Sequence, residues 1–129
     1  MIVVRGVRER KDGKLRVYLE QEGDEASRTA LKPRNDLFNH SPTGFECGYE
    51  GSGPAQLALA VLSAALDEMV PNPDAIALRL HQDFKRDVIA KISREVKTWA
   101  FSLAWVREKW LPERIREIER HLDEEVIET

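Results

Sequence analysis

The chain has 129 residues, 42% hydrophobic and 33% charged, with a net charge of −3 and a single cysteine. One domain of ordinary size is expected, with a core that needs no disulfide, and the near balance of charge argues against a broadly basic nucleic-acid binder. Only three apolar residues follow Met1, too few for a secretion signal, and no run approaches the ~18 apolar residues of a membrane span, so a cytoplasmic protein with no membrane partner is expected.

Ile2 to Val7 is rich in β-branched residues, Asp12-Gly13 tolerates positive φ, and Leu15, Val17 and Leu19 alternate with polar neighbours; together they predict a β-hairpin. Residues 21–29 lack periodicity and read as an exposed loop. Residues 30–41 read as an irregular extended segment, which Pro33 confines to a sheet edge. After the turn at Pro42-Thr43-Gly44, Phe45, Cys47 and Tyr49 alternate with Glu46 and Gly48. That predicts a short strand, with Gly48 marking a bulge or a close backbone approach.

Gly51 and Gly53 are expected at positive φ, with Ser52 as cap and Pro54 in the first turn of a helix. Leu57, Leu59, Ala60, Val61, Ala64, Ala65 and Leu66 make that helix apolar on most of its circumference, hence central and buried, ending near Met69. Ile76, Leu80, Phe84, Val88 and Ile92 predict a second helix from Pro73 or Asp74 to about Val96. Trp99 and Phe101 predict a short extended piece, and Ser102 caps a third helix carrying Leu103, Val106 and Trp110 before Pro112 bends or restarts the chain. Strands first and helices after give an α+β fold: a small antiparallel sheet, the hairpin plus one or two further strands, packed on a central helix and followed by two or three more. Residues 1–110 read as one α+β domain and 111–129 as a C-terminal helical extension.

Leu111, Ile115, Ile118 and Leu122, spaced four, three and four, form a narrow seam of the kind that packs on one partner surface. Trp105 falls off the stripe of the third helix and is expected at an interface. A homo-oligomer or a protein partner follows. The basic N-terminal hairpin and the acidic tail, including Asp123, Glu124, Glu125 and Glu128, are either solvated surface or a means of steering a partner.

The chemistry is sparse. Ser41, Ser52 and Cys47 are candidate nucleophiles and His40, His81 and His121 candidate bases, but no nucleophile elbow is present, and a lone cysteine in an alternating strand is an inert core thiol. His40, Glu46, His81 and Asp83 lack metal-ligand spacing, so neither a metal nor another cofactor is expected. The glycine-rich turn into the Pro54 helix suits a small anion, although it matches no phosphate-binding motif. Asp83 is expected to pair with Arg79 or a neighbour of Asp87. Were it instead to reach Glu46, two carboxylates would share a pocket and one would become a general acid or a metal ligand.

The run from His40 to Glu46, then Gly48-Tyr49 and Gly51 to Ala60, together with Gln82-Asp83-Phe84-Lys85 and Arg5-Gly6, resembles the signature of a family of small prokaryotic and phage proteins whose function is unknown. The likeness spans roughly residues 1–110, with Cys47 where the family has tryptophan. It implies a role on mobile elements, with interference in host defence as one form. It also implies that the shared polar positions Asn39, His40, Ser41, Thr43, Glu46, Tyr49, Ser52, Gln56, Asp83 and Lys85 surround any site, and Gly53 of the same turn is counted with them. Two readings stand: a non-enzymatic binding module for a protein or a small anionic ligand, and a small enzyme for a phosphorylated or nucleotide ligand using Glu46, Asp83 and Lys85.

Overall fold

The computed structural model describes residues 1–128, with side chains through residue 122. Strands β1 (Ile2–Arg8), β2 (Leu15–Gln21) and β3 (Asp24–Ala30) come first, followed by helices α1 (Ser52–Leu66) and α2 (Pro73–Asp87). Strand β4 (Thr98–Ser102) leads into a continuous helical stretch: α3 (Leu103–Trp105), a π turn (Val106–Trp110) and α4 (Leu111–Glu128). The sheet is antiparallel in the order β3-β2-β1-β4. The class is α+β, as the order of elements implies.

The hairpin forms where expected, with Val4 opposite Leu19, Gly6 opposite Val17, and Gly13 at φ +70° in the turn. Residues 21–29 are not a loop. Gly23, at φ +83°, turns the chain into β3, whose sequence DEASRTA is exposed or only partly buried on both faces and therefore shows no apolar alternation. The extended segment expected at 30–41 is irregular chain instead, anchored by the buried Leu31. Phe45, Cys47 and Tyr49 form no strand: Phe45 makes a lone bridge to Leu15, and Gly48 at φ +84° turns the backbone away.

One face of the sheet contributes Val4, Leu15 and Val17 to a core shared with Leu57, Leu59, Val61, Leu62 and Leu66 of α1 and Ala77, Leu80 and Phe84 of α2. Because α1 is enclosed on all sides, each of these fully buried leucines contributes about 1.5–3 kcal/mol. On the other face of the sheet Glu20 lies between Arg5 and Arg28, at 3.0 and 2.7 Å. At its C-terminal end, Arg107 donates to the carbonyls of Ala65 (2.8 Å) and Ala64 (3.3 Å), placing a cation where the helix dipole is negative.

Helix α2 stops at Asp87, well short of Val96. At Val88 the backbone leaves the helical region, and the Ile89 carbonyl accepts from Gly48 N–H (3.1 Å). Ser102 caps α3 through the Trp105 amide (3.1 Å). Pro112 falls in the first turn of α4, just after a turn where Leu111 N–H bonds five residues back, to Val106. Leu111 and Ile118 belong to the core, and Ile115 packs against it. The seam read as a partner surface is thus taken up within the chain, leaving Leu122 (54% exposed) and Trp105 (41%) facing outward. The acidic residues Asp123, Glu124, Glu125 and Glu128 lie outside the described residues. Among those described, no helix is long and apolar enough to cross a membrane.

Candidate functional site

Strand β3 leaves β2 at the Tyr18–Ala30 pair, and the chain returns to β2 only at the Phe45–Leu15 bridge. Between these points, bounded by the loop 41–53 and the start of α1, lies a cleft of about 990 Å³. Ser41, Thr43, Glu46, Tyr49, Ser52 and Gly53 line it, six of the residues singled out by the sequence, together with Phe45 of the same loop and Lys14, Arg16 and Tyr18 opposite. Lys14 and Arg16 are exposed at its edge, and Arg16 pairs with Asp12 at 3.5 Å.

The start of α1 has a different logic from the one its glycines suggest. Gly51 has φ −150°, ordinary extended backbone, and Gly53 is not at positive φ either. Both are needed for closeness. A Cβ on Gly53 would lie 2.8 Å from the Glu46 Cβ, and one on Gly51 would lie 2.3 Å from the Tyr49 ring. Gly51, not Ser52, takes the cap position; Pro54 has no N–H and Ala55 N–H bonds the Gly51 carbonyl at 3.0 Å, which leaves the Ser52 and Gly53 amides of the first turn.

Glu46 forms the floor. Arg8 grips it with two bonds, Nη2 to Oε1 at 2.7 Å and Nη1 to Oε2 at 2.9 Å, while Cys47 N–H adds a third at 3.2 Å. The Arg8 bonds, reinforced by the Cys47 amide and the Arg8 and Arg94 charges, hold its carboxyl below the usual carboxylate range against the opposing effect of burial. Cys47 itself has no exposed surface, and burial pushes its thiol up, the environment of an inert thiol.

The other predicted residues lie outside that lining, Asn39 accepting from Asn35 at 3.0 Å. Gln56 is fully buried and structural: Oε1 accepts from the amides of His40 (2.8 Å) and Ser41 (3.1 Å), and Nε2 donates to the carbonyls of Pro33 (2.6 Å) and Phe38 (3.1 Å). Asp83 pairs with Arg86 at 2.6 Å on the surface of α2, beside a separate hollow that includes Asp87 and Glu113. Lys85 bears on His40. Sequence spacing gave no hint of one further pair: His40 Nε2 and His81 Nε2 meet at 2.9 Å, across a separation of 41 residues.

The fold and cleft define a small α+β domain with a groove beside its sheet; among the described residues Asp83 and Lys85 do not join Glu46 in its lining. The chain belongs to DUF6166, a family of unknown function whose model matches residues 5–113. No curated protein and no solved structure matches it.

Proposed function

We propose that the protein is a non-enzymatic binding module that captures an anionic group, on a protein segment or a small ligand, in the cleft between β2 and the loop 41–53. The observation that carries this reading is the fate of the three groups an enzyme would need. Glu46 is bound to Arg8 in the cleft, Asp83 is bound to Arg86 on α2, and Lys85, also on α2, does not line the cleft. The enzyme reading required them to converge. The cleft instead offers groups that suit an anion: Lys14 at its edge, Arg16 shared with Asp12, the hydroxyls of Ser41, Thr43 and Ser52, and the Ser52 and Gly53 amides at the start of α1, with the Glu46 carboxylate paired to Arg8.

NMR titration of the full chain with a short polyglutamate peptide and with inorganic phosphate tests it. Amide shifts at Lys14, Arg16, Ser52 and Gly53 that vanish in the double variant Lys14→Glu/Arg16→Glu support the reading. Shifts that survive the variant overturn it. Self-association through the exposed Trp105 and Leu122 belongs to the same proposal, and light scattering reads it. The motif's likeness to phage and plasmid proteins supports an anti-defence role, tested by phage plating on defended hosts that express the chain.

A further inference from the structure

The two edges of the sheet are built differently. Strand β3 carries Asp24, Glu25 and Arg28, its register to β2 shifts between Leu19 and Gln21, and its Ser27 hydroxyl accepts from the Gln21 amide at 2.8 Å. Charge and irregularity of this kind keep an edge from pairing with another strand. Strand β4 has neither. Its sequence, TWAFS, holds no charge, no proline and no glycine, and its register to β1 runs unbroken from Thr98 to Ser102.

The phase of that register decides which backbone groups are left over. Arg8 N–H donates to the Lys97 carbonyl at 2.8 Å, and hydrogen-bonded positions alternate along an antiparallel pair. Lys97, Trp99 and Phe101 therefore turn their amides and carbonyls toward β1. Thr98 and Ala100 turn theirs away from the sheet, as does the Ser102 amide. Strand β4 is last in the order, and among the described residues no hydrogen bond reaches these groups from that side. Thr98 and Ala100 are exposed. The strand itself is firmly set: Trp99 covers Gly6 and stacks on Phe101 at 5.7 Å, and Phe101 meets Phe84 of α2 at 6.3 Å. An edge held this rigidly loses little entropy when a strand is added to it.

We infer that β4 pairs antiparallel with β4 of a second copy of the chain, about a two-fold axis through Ala100, so that two four-stranded sheets become one. The inference rests on the self-association proposed above and gives it a surface; anion capture in the cleft is independent of it. The edge fits its own copy because it is symmetric about Ala100. There the amide and carbonyl of one Ala100 meet those of the other, each Ser102 amide meets a Thr98 carbonyl, and a small side chain lies at the axis. Val96 (44% exposed) and Trp105 (41%) flank the strand on its two sides, so antiparallel pairing brings the Val96 of each copy to the end where the Trp105 of the other stands. No charge lies within the paired stretch, so no like charges face each other. A short strand with two flanking side chains makes a small interface, hence a dimer that dissociates on dilution.

Sedimentation velocity of the full chain over a range of concentrations, with hydrogen exchange, tests the pairing. A monomer–dimer equilibrium is expected, and the Ala100 amide should exchange more slowly as dimer forms. Ala100→Lys sets two ammonium groups opposite each other in the dimer, at a position exposed in the single chain, and should weaken association at least about tenfold. Ala100→Glu should do the same. An equimolar mixture of the two variants should restore the dimer, seen as the mixed species in native mass spectrometry. Leu122→Ser should leave association unchanged. A wild-type chain that stays monomeric at NMR concentration removes self-association altogether. Association that survives Ala100→Lys, or that falls in Leu122→Ser, moves the contact to another surface, and a mixture that does not recover removes the axis at Ala100. Each of these overturns the inference, and none bears on anion binding in the cleft.

Discussion

Arg8, the last residue of β1, and Glu46, in the loop that forms the cleft floor, are joined by two parallel hydrogen bonds across 38 residues of sequence. Both side chains are mostly buried, so the pair is a clamp between sheet and loop rather than a surface ornament. Glu46→Gln should lower stability by about 1.5–3 kcal/mol at neutral pH. The Glu46 carboxyl is held low in the folded chain, so its contribution is present above the ordinary carboxylate pKa and fades as pH falls through the folded value. Urea midpoints of wild type and variant should therefore converge on acidification; a constant gap across that range would contradict the clamp.

Gln56 makes four hydrogen bonds from a position with no exposed surface. Gln56→Leu keeps the volume and strands two N–H groups and two carbonyls, so a loss of about 3–4 kcal/mol is expected. Hydrogen exchange at the His40 and Ser41 amides should accelerate ahead of global unfolding.

Two glycines of the loop separate conformation from crowding. A Cβ on Gly48 would meet the Ile92 carbonyl at 2.7 Å and sit at φ +84°, and backbone cannot step aside. A Cβ on Gly51 would first meet the ring of Tyr49, an exposed side chain under Arg94 rather than fixed backbone. Gly48→Ala should therefore cost at least about 2 kcal/mol, and Gly51→Ala about 1 or less. Thermal unfolding of the two variants gives the order directly.

Ile118 distinguishes the inner from the outer use of the last helix. With Ile118 in the core, Ile118→Ala should lower stability by about 2 kcal/mol or more and leave the mass by light scattering unchanged. A fall in mass with stability intact would mean that Ile118 joins chains instead.

The hairpin was legible because Asp12-Gly13 separates two apolar runs, and α1 because a helix apolar all round has only one place to go. Strand β3 was hidden because both its faces are polar, and pattern reading detects strands by a single buried face. Helix α2 looked too long because Val88, Ile92 and Val96 keep the four-residue spacing, while the bond from Gly48 that takes the Ile89 carbonyl is made by residues 41 positions away in the chain. The same limit applies to the site. The cleft residues 41–53 are neighbours in sequence and were found together; Lys14 and Arg16 opposite them, and the meeting of His40 with His81, depend on tertiary packing that no local pattern records.

The π turn at Val106–Trp110 holds one residue more than the α-helix around it would need. That surplus gives the chain a place where its length is negotiable. Removing one residue within the turn lets it relax to α geometry, with Leu103 before it and Leu111 and Ile118 after it still facing inward. The same deletion inside α1 or α4 would rotate everything downstream by about 100°. Single-residue gaps should accordingly be tolerated at 106–110 and nowhere else in the long C-terminal helix.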